Sequence, residues 1–288
     1  MRWLWYTFLA LFSLGMLGLI GVVGGAVGVI SYYGRDLPDY RALKDYEPPV
    51  VTRIYAGDGR LLEEYAQERR VFVPIESIPD VVKYAFISAE DKNYFSHNGI
   101  DYLAIMRAMA TNVRNFGSGR RPVGASTITQ QVAKNLWLSG ERTIARKLQE
   151  AYLTWRLEAV HTKRRIIEIY LNLASWGPGT RGIRAASKRY FGAEPAELAT
   201  VEVALLAAIL PNPARFGAWI EQGKLATSRL EKVEHTLRNL RFMKKIDAAE
   251  YDRAWQLARD QGRIGRLTLV LCDDDGSAGA GVETCAPE

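Results

Sequence analysis

The chain has 288 residues, 48% of them hydrophobic and 24% charged, and a formal net charge of +6. This length holds one large domain or two small ones, and the composition is that of a folded chain with a sizeable core, not a disordered or fibrous one. The basic excess suits an anionic membrane surface or a phosphate-bearing substrate, and no stretch interleaves aromatic and basic residues in the manner of a nucleic-acid binder.

Residues 1–33 come first. From Trp3 to Tyr33 there is no charged side chain, and a spanning helix needs about 20 apolar residues. The run is longer than a signal-peptide core and no small-residue cleavage site follows it. Trp3, Trp5, Tyr6, Tyr32 and Tyr33 stand at its ends like interfacial anchors, so one transmembrane helix is expected. Arg2 alone precedes the span, which leaves its orientation weakly determined. Residues 34–49, with Pro38, Pro48 and Pro49, read as a linker. Over 50–78 the sequence predicts a small β element: a strand at 50–55, a turn through Gly57 and Gly59, a second strand at 61–65, and a third at Val71–Val73. From Ile78-Pro79 the pattern becomes helical and stays so to residue 262. Val81, Tyr84, Ala85 and Ser88 share a face that leads into Glu90, and Leu230, Val233, Leu237, Leu240 and Met243 keep helical spacing. Asp247 with Glu250 reads as a capping box. The stretch 263–288, rich in Asp, Gly and Ala, is expected to be a disordered tail. It holds both cysteines, Cys272 and Cys285, whose pairing the sequence leaves open; no Cys/His set has metal-ligand spacing.

Three clusters carry chemistry. The first is Glu90-Asp91 with His97 and Gly99. An acidic pair ending an apolar helix is unusual because ionised carboxylates are costly to desolvate; it reads either as a proton acceptor at a cleft or as a solvated helix end. The second runs from Gly124 to Asn135. Thr127, Gln131 and Lys134, at i, i+4 and i+7, share a face that offers hydroxyl, amide and ammonium groups, suited to sugar and phosphate or simply to solvent. The third lies at 141–159, where Ile144, Leu148, Tyr152, Trp155 and Ala159 form an apolar stripe opposite Arg142, Arg146 and Glu150. Arg146 and Glu150 are readable as a surface ion pair worth about 0.3–0.5 kcal/mol, or as part of a phosphate site that guanidinium geometry suits.

Together the clusters are far more specific. Glu90–Gly99 resembles the first motif of the family 51 glycosyltransferases, the peptidoglycan transglycosylases, and Gly124–Asn135 resembles the second almost letter for letter. Arg146-Lys147-Leu148-Gln149-Glu150 is similar to their R-K-x-x-E, Arg165–Asn172 to the fourth motif and Gly182–Gly192 to the fifth. The five fall in family order, and the small departures, a Tyr-Phe order at 94–95 and Pro178–Arg181 before the fifth motif, leave the catalytic letters untouched.

The resemblance implies a mainly α, lysozyme-like glycosyltransferase domain over 79–262, outside the cytoplasmic (inner) membrane, polymerising lipid II into β-1,4 glycan with inversion and release of polyprenyl diphosphate. It implies Glu90 as general base and Glu150 as a second essential carboxylate, well separated across a cleft. Lys134, Arg142 and Arg146 match its phosphate-contacting positions, while Asp91, His97, Ser126, Thr127, Gln130, Gln131 and Asn135 are candidate substrate binders. No protein-held metal is expected; a divalent cation, Mg2+ or Mn2+, on the pyrophosphate is left open. Expected partners are lipid II, the growing strand, the bilayer and other cell-wall synthesis or division proteins. The region 102–121, apolar and basic by turns, reads as a lobe at the membrane interface. The S-x-x-K and K-S/T-G motifs of a penicillin-binding transpeptidase domain are absent from these residues, so a monofunctional enzyme is expected, with a truncated bifunctional one as runner-up. A lytic transglycosylase would cleave glycan without pyrophosphate-binding cations, and a non-catalytic assembly scaffold would tolerate loss of Glu90.

Overall fold

The computed structural model describes residues 2–33, 52–58, 61–65, 71–119, 122–138, 141, 143–260 and 262–274. It opens with α1 (Arg2–Tyr33), 32 residues with no acidic side chain in the first turn and no basic one in the last. Among the described residues, no helix is long and apolar enough to cross a membrane. The element expected over 1–33 is therefore present as a helix, and its place in a bilayer is not shown. The linker expected over 34–49 lies outside the described residues.

β1 (Thr52–Tyr55) and β2 (Leu61–Tyr65) pair antiparallel with Thr52 opposite Tyr65 and a shift of register between Ile54 and Tyr55. The third strand expected at Val71–Val73 does not form. A side chain occupies Val73 instead: Asn172 accepts from its N–H at 2.8 Å and donates to its carbonyl at 2.9 Å, as a neighbouring strand would. One turn earlier, Glu168 accepts from the Ile75 N–H at 2.7 Å. The fourth motif thus clamps the chain where it enters the helical domain.

That domain is built from α2 (Asp80–Glu90), α3 (Tyr102–Arg114), α4 (Ile128–Trp137), α5 (Ile144–Val160), α6 (Lys163–Leu173), α7 (Ile183–Phe191), α8 (Thr200–Ile209), α9 (Pro213–Glu221), β3 (Lys224–Ala226), α10 (Thr227–Phe242) and α11 (Ala248–Asp260). α8 is buried from Val201 to Ile209, as a helix apolar on every side must be, and α2, α10 and α11 pack around it. Because α2 lies against both α8 and α10, it buries Val82, Phe86 and Ile87 besides Ala85 and Ser88, a wider face than its periodicity predicts. Trp176, fully buried, donates to the Leu206 carbonyl at 3.1 Å and meets Phe86 edge-on at 5.6 Å. α10 buries Val233, Leu237 and Leu240 as expected. Asp247 caps α11 by accepting from the Glu250 N–H at 2.7 Å, but the Glu250 carboxylate turns to Arg253, so only half of the expected box forms.

Two expectations are corrected. α5 does not bury its apolar stripe: Ile144, Leu148 and Trp155 are exposed, while Glu150, Leu153, Thr154 and Leu157 face inward. Glu150 is 2% exposed, which rules out a surface ion pair. Nor is the chain beyond 263 disordered throughout. β4 (Arg263–Ile264) and β5 (Leu267–Thr268) form a hairpin, and β6 (Val270–Cys272) lies parallel to β3. Asp274 accepts from the Ser228 N–H at 3.3 Å, in the first turn of α10. Ile264, Leu269 and Cys272 are buried, and these scattered apolar residues carry the strap against the domain despite a polar average composition. Cys272 is disulfide-bonded; Cys285, the other cysteine of the chain, falls within 275–288, outside the described residues.

Removing the Asn172 amide leaves the Val73 N–H and carbonyl buried without partners. Asn172→Ala is expected to cost about 2–3 kcal/mol of stability, read as a lowered urea midpoint at unchanged slope.

Candidate active site

α2 ends in two consecutive carboxylates that grip the first turn of α4. Asp91, buried, accepts from the Ile128 N–H at 3.0 Å through one oxygen and meets His97 Nε2 at 2.9 Å through the other. A carboxylate at a helix N-terminus satisfies an otherwise orphaned N–H and meets the positive end of the helix dipole. Glu90 accepts from Gln131 Nε2 at 2.7 Å, one turn further along α4. Thr127 caps the same helix by accepting from the Gln130 N–H, and Gln130 returns the bond to the Thr127 N–H at 3.1 Å. The Thr127 hydroxyl itself donates to the Gly99 carbonyl, so it is turned inward and not along the polar face with Gln131 and Lys134. Gly99 has φ +86°, and a Cβ there would stand 2.7 Å from Thr154 and 2.8 Å from Glu158. Only glycine fits this close passage of the loop over α5.

Beside these groups opens a cavity of about 290 Å³ lined by Glu90, Asp91, Lys92 and Asn93, by Asp101, Ala104 and Arg107, and by Gly124 through Thr127. Its volume is at the small end for ligand pockets. Burial raises the Glu90 pKa, with the Gln131 hydrogen bond and the charges of Lys134 and Lys232 opposing the shift and Asp91 adding to it. Glu90 nevertheless keeps some surface open to the cavity.

Glu150 stands in a separate cluster. Its carboxylate accepts from Arg146 Nη1 at 2.7 Å and from Lys147 Nζ, and Lys147 also donates to Ser126 at 3.2 Å. A buried charge of this kind is sustained only by such pairing. Lys147 thereby ties Glu150 to the lining of the cavity. It belongs to the R-K-x-x-E match, and its i, i+3 spacing to Glu150 is the signal that would have singled it out. Arg146 Nε has no partner among the described residues. Lys134 and Asn135 are exposed on α4, and Arg142 lies outside the described residues. Asp91, His97, Thr127 and Gln130 are thus engaged with one another and with the backbone, Glu90 with Gln131, and Arg146 with Glu150, whereas Ser126 and Lys134 keep exposed side chains. Among the described residues, no set of three His, Cys, Asp or Glu side chains is arranged to hold a metal.

A profile of the transglycosylase family matches residues 58–238. The chain belongs to this family. Penicillin-binding protein 1A of Rickettsia bellii (strain RML369-C) is 51% identical over 185 residues, 64% of this chain and 23% of that protein. Penicillin-binding protein 1A of Neisseria lactamica is 34% identical over 248 residues, 85% of this chain and 29% of the relative; that of Escherichia coli (strain K12) is 40% identical over 66% of this chain and 22% of its own length. The chain therefore spans about a quarter of the length of these relatives. The crystal structure of penicillin-binding protein 1A from Haemophilus influenzae aligns over 73% of this chain and 21% of its own, at 21% identity and a TM-score of 0.39, a likeness too loose to carry an argument.

A carboxylate whose folded pKa is raised contributes stability that is present below the unfolded value and is lost as pH rises through the folded one. Glu90→Gln, which cannot ionise, is expected to melt at a higher temperature than the parent at about pH 7, with the difference vanishing near pH 4. Thermal unfolding at the two pH values checks this.

Proposed function

We propose that this chain is a peptidoglycan glycosyltransferase that polymerises lipid II. The observation that carries the reading is the burial-tuned Glu90 carboxylate, held by Gln131 at a cavity and acted on by the charge of Lys134. A hydroxyl is a weak nucleophile, so a base must remove its proton as the bond to the anomeric carbon forms. Glu90 takes the proton of the acceptor 4-hydroxyl; the C1–O bond to the diphosphate breaks on the opposite face, and the configuration inverts. Charge then builds on the departing diphosphate, and preorganised cations lower that barrier without reorganisation. Lys134 and Arg146 fill this role, with Arg142 as a third contact. Glu150 orients Arg146 and Lys147, and Ser126, Gln131 and Asn135 bind sugar or phosphate oxygens. Asp91, His97, Thr127 and Gln130 act on substrate through the loop and helix start that they hold. A protein-bound divalent cation fits poorly, because the Glu150 carboxylate is taken up by two cations and the Asp91 oxygens by His97 and the α4 backbone; no step is assigned to a metal.

The membrane reading rests on side chains that a water-facing surface does not favour. α3 leaves Tyr102, Leu103, Met106, Met109 and Val113 exposed, and Phe116 beyond it is 92% exposed. Arg107 and Arg114 on the same helix suit anionic headgroups. With the outward stripe of α5 and the uncharged run of α1, these support a single-pass protein of the cytoplasmic membrane whose catalytic domain lies on the outer face. The disulfide at Cys272 supports the same side, since disulfides persist in oxidising compartments. The proposed fold of the domain is lysozyme-like. The reading concerns the glycosyltransferase unit and is the same whether that unit stands alone or heads a longer chain.

Purified protein given lipid II is expected to make glycan polymer, and Glu90→Gln to lower the rate by about 10²–10⁴. Release of fragments from preformed glycan with no polymer from lipid II would instead establish a lytic enzyme.

A further inference from the structure

Beside the Glu90 cavity, basic side chains gather on a face that no acid neutralises. On α10, Lys232, His235 and Arg238 recur at three-residue spacing and share that face with Phe242; all four are exposed. Lys92, in the loop after α2, joins the face to the cavity. It lines the cavity together with Glu90, and its Nζ lies 5.8 Å from the centre of the Phe242 ring. A second link runs through Asn239, which donates to the carbonyl of Ser88, two residues before Glu90, at 3.4 Å and meets His235 Nδ1 at 3.2 Å. Because that amide nitrogen only donates, Nδ1 accepts, and a neutral His235 carries its proton on Nε2, at the far side of the ring. Among the described residues, no ion pair engages Lys92, Lys232 or Arg238. The acids of α10 serve other cations: Glu231 acts on Arg229, and Glu234 acts on Arg259 of α11 besides His235. Like charges on neighbouring turns repel, and an anion laid along the face relieves that repulsion. The face differs from α3 and α5, which each expose several large apolar side chains; on α10 Phe242 is the one such residue.

We propose that this face is a subsite for the carboxylates of the substrate's peptide, which lies across Lys92, Lys232, His235 and Arg238 while the sugar hydroxyl reaches Glu90. The inference deepens the glycosyltransferase reading and rests on it. The lipid-linked disaccharide bears a short peptide with free carboxylates on the sugar next to the one whose hydroxyl reacts. An anionic group therefore arrives beside the base whenever the acceptor does, and Lys92 stands where the cavity passes into the basic face. Arg238 offers a planar fork suited to a carboxylate, and Lys92 and Lys232 add charge that tolerates variation in the peptide's exact pose. Exposed ion pairs are individually weak, so the subsite acts through several such contacts together and is weakened by salt.

The test uses the full chain in detergent and two forms of lipid II, one with its peptide carboxylates free and one with them converted to carboxamides. The parent is expected to polymerise the free-acid form with a KM about fivefold lower than the amidated form, the gap closing at high salt. In Lys232→Gln/Arg238→Gln the two KM values are expected to converge. Binding is read separately from turnover by titrating soluble disaccharide-peptide, acid or amidated, onto Glu90→Gln, which is expected to prefer the acid form as the parent does. Equal KM values and equal binding of the two forms by the parent overturn the inference while the glycosyltransferase reading stands, and this comparison needs no variant of the basic face to fold. Binding of phosphatidylglycerol vesicles that falls in Lys232→Gln/Arg238→Gln, with no preference between acid and amide, assigns the face to the membrane and overturns the inference. Failure of the parent to make polymer from either form overturns the glycosyltransferase reading, and the inference with it.

Discussion

The arrangement depends on one contact: the Glu90-Asp91 pair at the end of α2 docking on the first turn of α4. Asp91 takes a backbone N–H that no helical carbonyl can reach, and Glu90 takes the Gln131 side chain one turn on. The two helices are thereby fixed end to start, and the cavity opens at their junction. Thr127 and Gln130 close the cap from the other side, and the Thr127 hydroxyl draws in the Gly99 loop that also carries His97. Groups in the first and second motifs are therefore largely devoted to building one corner, and only part of each is left to meet a ligand.

The electrostatics divide the corner in two. Around Glu90 the positive charges act at a distance and the carboxylate feels mainly its burial, which favours a group that exchanges a proton. Around Glu150 the cations are in direct contact, Arg146 and Lys147 both donating to it, which favours a permanently charged orienter. Two carboxylates in one domain thus sit in different electrostatic surroundings, set by what lies against them. The inverted α5 goes with the second cluster. Turning Glu150, Leu153, Thr154 and Leu157 inward leaves Ile144, Leu148 and Trp155 outside.

Much of the local structure was legible in the residues. The strand pair before the domain, the periodicity of α10, the Asp247 cap and the Glu-Asp and Gln-Gln-x-x-Lys-Asn segments each announce themselves within a dozen positions, because strand alternation, helical spacing and capping are short-range. Motif order over residues 88–192 pointed to the family, which the profile match over 58–238 bears out. Less legible was which side of a helix faces in. The apolar stripe of α5 obeyed the usual pattern and still points outward, and the stretch after 263 looked like a solvated tail because its few apolar residues find their grooves only in the folded domain.

The sequence by itself therefore determined the family, the helical class and the identities of the groups that carry charge, since these depend on residue type and short spacing. Only the tertiary structure decided which of those groups are engaged and which are open. It turned Thr127, Gln130, Asp91 and His97 into supports and gave Lys147 a place against Glu150. The physical reason is that burial and hydrogen-bond partnership are set by contacts between segments tens of residues apart, such as Asp91 with Ile128 or Val73 with Asn172, and no local pattern encodes them.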